Sequence, residues 1–322
     1  MLILDIISLP YHHSLMLTST QTKYIGRFAP SPTGPLHFGS LITAVASYCI
    51  AKQHHGDWLI RIDDLDQPRV VAGMSDTILH QLETFALYWD GEISYQSQHS
   101  IRYAEILDQL NQLNLTYPCW CSRKEILASA PHFGIDGPIY PGSCLTNANR
   151  KSKKPAVRIK TTQTTTCYQD ELQGSVQQVL ATDVGDFTLC RGDGVFSYQL
   201  AVVVDDHDSG ITHIVRGRDL LASTPRQIYL FNCLEFSVPK YTHLPLALNP
   251  SGEKISKRHH QVSFFDSKTP QYYLHNALIF LGQSPPAELI NLPTEAIVNW
   301  AVRHFDVNNI PTNDQNMILN RD

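Results

Sequence analysis

Residues 27–40, RFAPSPTGPLHFGS, decide how the rest of the chain is read. A short apolar, β-prone run from Lys23 to Phe28 leads into them. Beyond them Leu41, Val45, Tyr48 and Cys49 recur at helical spacing, with Ser40 placed as the N-cap. A loop rich in Pro and Gly that feeds a helix N-terminus offers approachable backbone and unpaired N–H groups beside a positive dipole end. That is a place for phosphate. A second stretch, GEKISKR at 252–258, carries Lys254, Lys257 and Arg258 on a glycine-containing loop. Such a loop can grip a polyphosphate while negative charge moves during a reaction.

The pattern around these two loops alternates. Residues 57–62 read as a strand, followed by the acidic turn Asp63-Asp64-Leu65-Asp66. Helical patterns follow at 74–88 and at 101–113, where Ile101, Leu107, Leu110 and Leu113 fall close to one face. The continuous apolar run Tyr198 to Val204 suits a strand buried on both faces of a parallel sheet. Another strand at 211–215 precedes a helix that begins around Thr224-Pro225. Strands alternating with helices predict a doubly wound, Rossmann-like α/β domain, with a nucleotide across the carboxyl ends of the strands. No GxGxxG fingerprint is present, which argues against a dinucleotide.

We therefore divide the chain into an N-terminal extension (1–22), a first half of the catalytic domain (23–117), an insertion (118–190), a second half with the lysine loop (191–260) and a small helical C-terminal subdomain (261–322). Tyr272, Tyr273, Asn276, Leu278 and Ile279 fall within one helix of the last part.

Composition bounds the function. With 43% hydrophobic and 17% charged residues, the chain has an ordinary globular core to bury. Its formal net charge of −5 gives no global positive field, so RNA contacts must come from local patches such as Arg150, Lys151, Lys153 and Lys154. The apolar start lacks the basic residues of a secretory signal, and no later stretch is long enough to span a bilayer. Seven cysteines, an odd number, argue against a disulfide framework and for a reducing cytoplasm. A monomer with no membrane association is expected. Cys49, Cys167, Cys190 and Cys233 read as buried, inert thiols.

Pro32-Thr33-Gly34-Pro35-Leu36-His37-Phe38-Gly39 resembles the HIGH element of class I aminoacyl-tRNA synthetases, and Lys254-Ile255-Ser256-Lys257-Arg258 resembles their KMSKS element. The prefix Arg27-Phe28-Ala29-Pro30-Ser31 is similar to that of the glutamyl branch. The resemblance implies an ATP site, with Mg²⁺ accompanying ATP, built from Pro30, Ser31, Gly34, His37, Gly39, Ser40, Lys254, Lys257 and Arg258. It places His37 near the α-phosphate and Lys257 on the departing pyrophosphate as the catalytic pair. It implies a glutamate pocket of Arg27, Phe28, Ala29, Pro30, Ser31, Asp63, Tyr198 and Arg216. Arg27 and Arg216 would take the side-chain carboxylate, and Asp63 the α-amino group. Many relatives carry glutamate at that last position, so the carboxylate here is one methylene shorter.

Cys119-Trp120-Cys121 followed by Tyr140 and Cys144 resembles a zinc site with ligands Cys119, Cys121, Tyr140 and Cys144, one Zn²⁺ per chain. The spacing from Cys121 to Tyr140 is generous, and His132 competes for the fourth place.

After Arg258 only 64 residues remain, little room for the anticodon-reading region of a full-length glutamyl enzyme. The stretches 198–206 and 216–230 are closer to a shortened branch, the glutamyl-Q tRNA(Asp) synthetases, which attach glutamate to queuosine in the anticodon of tRNA(Asp). L-glutamate, ATP and queuosine-containing tRNA(Asp) are the partners this implies. Three alternatives stay open: a truncated glutamyl-tRNA synthetase charging a tRNA 3′ end, a catalytically silent, synthetase-like RNA-binding protein, and a nucleotidyltransferase sharing the fold, which would not need the paired arginines.

Overall fold

A computed structural model describes residues 23–134, 137–146, 152–255 and 268–317. Lys257, Arg258, Arg150, Lys151 and the extension 1–22 lie outside the described residues.

The first half runs β1 (Ile25–Phe28), α1 (Phe38–Gln53), β2 (Asp57–Ile62), α2 (Met74–Thr84), β3 (Ser94–Tyr95) and α3 (Ser100–Gln112). Its strands pair in parallel, Ile25 opposite Asp57 and Arg61 opposite Ser94, so each return requires a crossover. The middle carries β4 (Thr116–Cys119), α4 (Arg123–Ser129), a small hairpin of β5 (Phe133–Gly134) and β6 (Gly137–Pro138), α5 (Ser143–Thr146) and β7 (Ala156–Ile159). It continues with β8 (Thr165–Asp170), β9 (Gly174–Val179), α6 (Leu180–Asp183) and β10 (Thr188–Cys190). The second half contributes α7 (Tyr198–Asp208), β11 (His213–Gly217), α8 (Thr224–Cys233), β12 (Lys240–Leu244) and β13 (Ala247–Leu248). The described chain finishes with α9 (Pro270–Phe280), α10 (Thr294–His304) and β14 (Gln315–Asn316).

Two sheets, β1-β2-β3 and β11-β12-β8-β9, meet where β1 lies beside β11. The Thr212 N–H donates to the Ile25 carbonyl at 2.9 Å, and the Ile25 N–H donates to Thr212 Oγ1 at 2.9 Å. That seam is the point where strand order reverses, and loops leaving β1 and β11 diverge there to open a crevice. β8 and β9, inside 118–190, extend the second sheet through the Tyr241–Asp170 pairing, while β4, β7 and β10 form a separate antiparallel sheet.

α1 is buried around most of its circumference, with Phe38, Leu41, Ile42, Ala44, Val45, Cys49 and Ile50 all covered. The sheet covers one side, and α9 and α10 cover the other, where Phe38 meets Phe280 edge-on at 6.4 Å. The C-terminal helices therefore share the core of the first half.

Four expectations change. His37, not Ser40, is the N-cap of α1: its Nδ1 accepts from the Ser40 N–H at 3.3 Å, which puts Ser40 inside the first turn. The run beginning at Tyr198 is helix α7, not a strand. Ser197 caps it, accepting from the Leu200 N–H at 3.3 Å, and Leu200 to Asp206 are buried on every side. A helix buried all round carries no polar stripe, so its sequence reads like a doubly covered strand. On α3 the inward face is Tyr103, Ile106 and Leu110, while Ile101 and Leu113 are exposed. Finally, Cys167 is exposed, because it alternates outward on β8, and Cys190 and Cys233 are half-buried; Cys49 is fully buried.

Candidate active site and metal module

A cavity of about 410 Å³ opens at the seam between the sheets. Arg27, Phe28, Ala29, Pro30, Ser31, His37, Gly39, Ser40, Asp63, Tyr198, Arg216 and Lys254 line it, together with Thr43, Asp219 and Ala247. The structure thus brings the described candidates into one wall, except Gly34, which is buried within the loop and not part of the lining. At Gly39 a Cβ would meet the His37 ring at 3.1 Å, so glycine keeps that ring's place open. Lys254 lies on a hairpin closed by the Ile255 N–H to Ala247 carbonyl bond of 2.9 Å, and it forms an ion pair with Asp219. β14 braces the approach to that hairpin from the side: Asp314 accepts from the Leu246 N–H at 2.8 Å, and the Met317 N–H donates to the Leu248 carbonyl at 2.8 Å.

Arg27 enters the cavity already paired. Its Nε and Nη2 donate to Asp206 at 3.1 and 3.4 Å, deep in the protein. Asp206 also accepts from Arg61 Nη1 at 2.6 Å, and Arg61 Nε donates to Asp63 at 2.8 Å. Asp205, its neighbour on α7, accepts from Gln96 at 2.7 Å and from the Tyr103 hydroxyl, and lies 3.7 Å from Arg61 Nε. Burial pushes the Asp206 carboxyl up, but the two guanidinium groups outweigh it and hold it below the usual carboxylate range. At Asp63 burial wins over Arg61, and the pKa is raised. Three carboxylates, Asp63, Asp205 and Asp206, face two guanidinium groups and the His99 ring, whose Nδ1 lies 2.8 Å from Asp205, so carboxylates outnumber guanidinium groups by one in this corner.

Arg216, on β11, is equally buried but differently held. Its Nη1 lies 3.4 Å from the Tyr198 hydroxyl, its Nη2 donates to Thr224 Oγ1 at 2.7 Å, and its Nε donates to His243 Nε2 at 3.1 Å. The guanidinium sits over the Tyr241 ring, 5.3 Å from its centre. Among the described residues no carboxylate pairs with it. Tyr198, at the first turn of α7, is 36% exposed, which presents its hydroxyl to the cavity rather than to the core. Asp206, Arg61, Asp170 and His243 were not singled out from sequence; only Asp206 has a local signal, the doubled Asp205-Asp206 at the end of an apolar run.

The cysteine cluster is a second centre. The sulfurs of Cys119, Cys121 and Cys144 lie within 4.8 Å of one another. The Tyr140 hydroxyl is 3.4 Å from Cys119 Sγ and 3.7 Å from Cys121 Sγ, and Cys121 and Cys144 sulfurs are 3.5 Å apart. A tetrahedron with metal–sulfur bonds of about 2.3 Å and a metal–oxygen bond of about 2.0 Å has edges of roughly 3.5–3.8 Å. The four groups fit such a cage. Burial pushes the Cys144 thiol up, yet hydrogen bonds from Tyr140 and the Trp120 amide outweigh it and bring the pKa to about 7. His132 stands outside the cluster, its Nε2 2.8 Å from the Thr182 carbonyl. Arg158 covers the Tyr140 ring at 4.1 Å, and Ser122 and Glu125 close a capping box that fixes the turn after Cys121.

An α/β domain whose first phosphate-suited loop lines a charged cavity at its switch point together with Lys254 has the form of a nucleotide-using enzyme of the doubly wound class. Residues 23–298 match the catalytic domain of class I tRNA synthetases (E and Q), and the chain belongs to that family of ligases. ATP use comes with that membership. The chain is 49% identical over 300 residues to the glutamyl-Q tRNA(Asp) synthetase of Dechloromonas aromatica, covering 92% of this chain and 98% of that protein. The protein of the same name from Neisseria meningitidis serogroup B is 47% identical over 291 residues, 89% of this chain and 97% of that one. Among solved structures, a glutamate tRNA ligase from Elizabethkingia meningosepticum superposes with a TM-score of 0.74 at 24% identity, over 91% of this chain and 67% of that one. The glutamate-tRNA synthetase from Elizabethkingia anophelis gives 0.76 at 24% identity, over 93% and 69%. These two likenesses speak to the fold. Among the described residues, no helix is long and apolar enough to cross a membrane.

Proposed function

We propose that the protein activates L-glutamate with ATP, without tRNA in that step, and transfers the glutamyl group to queuosine in the anticodon of tRNA(Asp). The observation that carries the first part is the division of charge in the cavity. Arg216 is a cation with no carboxylate partner among the described residues, suited to a side-chain carboxylate, and in the corner around Asp63 carboxylates outnumber guanidinium groups, which suits an α-ammonium. Bound between them, a glutamate α-carboxylate oxygen attacks the α-phosphorus of ATP, and pyrophosphate departs. His37 and Gly39 border the phosphates, and Lys254, Lys257 and Arg258 take up the charge that leaves; Mg²⁺ accompanies ATP. The work is positioning and charge stabilisation rather than covalent catalysis.

The acceptor is supported by the names and near-complete coverage of relatives at 44–49% identity. The cysteine module fits zinc, which when bound supplies a closed structural centre held by Cys119, Cys121, Tyr140 and Cys144. Metal analysis tests this: Cys144→Ser should lose zinc and Tyr140→Phe should hold it more weakly, whereas full retention in Tyr140→Phe removes the tyrosine from the set.

Glutamate-dependent exchange of pyrophosphate into ATP, measured without tRNA, tests activation. Exchange appearing only when tRNA is added would count against it. For the acceptor, labelled glutamate is incubated with tRNA(Asp) with and without queuosine and the product digested with nuclease. Label on the 3′-terminal adenosine, or equal charging without queuosine, would replace this reading with a truncated glutamyl-tRNA synthetase.

A further inference from the structure

Behind Arg216 lies a buried pair that neither of the phosphate loops nor the glutamate contacts uses. We propose that Asp170 and His243 are positioning residues that fix Arg216 for the substrate carboxylate without neutralising it, and so set the preference for an acidic over an amide side chain. The proposal rests on the glutamate reading above.

The hydrogen-bond pattern leaves one arrangement. Asp170 ends β8 and is 1% exposed. Its Oδ1 accepts from three backbone N–H groups, Leu172 at 3.0 Å, Gln173 at 2.9 Å and His243 at 3.2 Å. Its Oδ2 faces His243 Nδ1 at 2.5 Å. The His243 ring, on β12, is wholly buried, and its Nε2 meets Arg216 Nε at 3.1 Å and Thr224 Oγ1 at 3.0 Å. Arg216 Nε always bears hydrogen, so Nε2 must be the acceptor and the ring proton must sit on Nδ1, pointing at Asp170. The charge states agree. Burial pushes the His243 pKa down, towards the neutral ring. Burial pushes Asp170 up, but His243 and the backbone N–H groups outweigh it and keep the carboxyl below its usual range.

The chemical advantage shows against Arg27. A carboxylate in direct contact, as Asp206 is with Arg27, fixes a guanidinium but cancels its charge. A neutral imidazole fixes the same group and moves the balancing carboxylate one ring further away. Arg216 keeps its attraction for the substrate, and Tyr198 at 3.4 Å and Thr224 at 2.7 Å complete its orientation.

Asp170→Asn is the sharp test. Three N–H groups hold the amide oxygen at the Oδ1 position, which turns the NH₂ towards His243 Nδ1. The ring proton then moves to Nε2 and opposes the Arg216 Nε–H, the wrong-tautomer effect seen when the aspartate of an Asp–His pair is amidated. We expect KM for glutamate in the exchange assay to rise roughly 10- to 100-fold, the cost of a buried unpaired donor. KM for ATP should stay within about twofold, and the preference for glutamate over glutamine should fall in parallel. His243→Asn keeps an N–H towards Asp170 but no acceptor for Arg216, and should behave the same way. His243→Gln, whose Oε1 replaces Nε2, should stay within about fivefold of wild type. Independently of any variant's folding, ¹⁵N imidazole spectra of the wild type at neutral pH should show His243 protonated on Nδ1 alone. A proton on Nε2, or glutamate and ATP constants that move together in stably folded variants, overturns the proposal. Wild-type protein with no glutamate-dependent exchange overturns the parent reading instead, whatever the tautomer.

Discussion

Arg27 and Arg216 stand on adjacent strands, β1 and β11, face one cavity and are equally buried at 4% exposure. Their surroundings differ in kind. The β1 side is ionic: Arg27, Arg61, Asp63, Asp205 and Asp206 form a network in which charges answer charges. The β11 side is built from neutral partners, His243, Thr224, Tyr198 and the Tyr241 face. An ionic network holds geometry firmly and answers each of its guanidinium groups, so what it leaves over is its third carboxylate and not the charge of Arg27. A neutral cradle leaves the cation's field intact. The same residue type is therefore held by an acid in one half of the cavity and by neutral groups in the other.

The largest effect should come from breaking the ionic side. Asp206→Asn removes the carboxylate between Arg27 and Arg61 and leaves Arg27 with no acidic partner among the described residues. Breaking a buried pair by deleting one partner costs about 3–5 kcal/mol, so urea unfolding should show a loss of that size. A loss below about 1 kcal/mol would mean that water reaches the network and that the two sides are less different than drawn.

Arg216→Gln attacks the other side and should do the opposite: little unfolding cost, large functional cost. With no carboxylate paired to it among the described residues, deletion orphans only neutral acceptors there, whose unmet bonds cost about 1–3 kcal/mol at most. Glutamate-dependent exchange should fall roughly 30- to 1000-fold in kcat/KM, as when one member of a desolvated charge pair is removed. Glutamine used by the variant as well as glutamate would confirm that charge selection resides at Arg216. Equal losses for Arg27→Gln and Arg216→Gln, in both stability and exchange, would erase the comparison.

These two sides were unequally legible in the sequence. That His37, Gly39 and Lys254 belong to one cavity was legible because they sit in short contiguous loops rich in Gly, Pro and cations, and such loops leave local patterns. Arg27, Arg216 and Tyr198 came through resemblance rather than periodicity. Asp206 and Arg61 lie 145 residues apart, and Asp170 and His243 lie 73 apart; no local signal links either pair. The helix α7 was misread for a related reason. Its apolar stretch is covered by α3, α8 and β10, so tertiary burial erased the polar stripe that would have distinguished it. The outward turn of Ile101 and Leu113 shows the converse, since apolar residues on a helix surface blur the face that packs.

The smallest expected effect is at Asp63, where the ionic side lines the cavity. Its carboxylate accepts from Arg61 Nε at 2.8 Å and lines the cavity, and burial raises its pKa despite that contact. Extending it by one methylene, in Asp63→Glu, keeps the charge and moves it further into a cavity of about 410 Å³ that has room for it. If the shorter side chain is a tolerated variant of the same ammonium contact, kcat/KM for glutamate should change by no more than about threefold, well under 1 kcal/mol. Stability should likewise shift by less than about 1 kcal/mol, since Arg61 keeps Asp206 at 2.6 Å. The measurement is exchange kinetics beside urea unfolding on the same preparation. A hundredfold loss with unchanged stability would show that Arg61 and Asp63 had reset the depth of the pocket around the shorter acid. The ionic side would then be setting how deep the ligand sits, beyond offering a carboxylate to its ammonium.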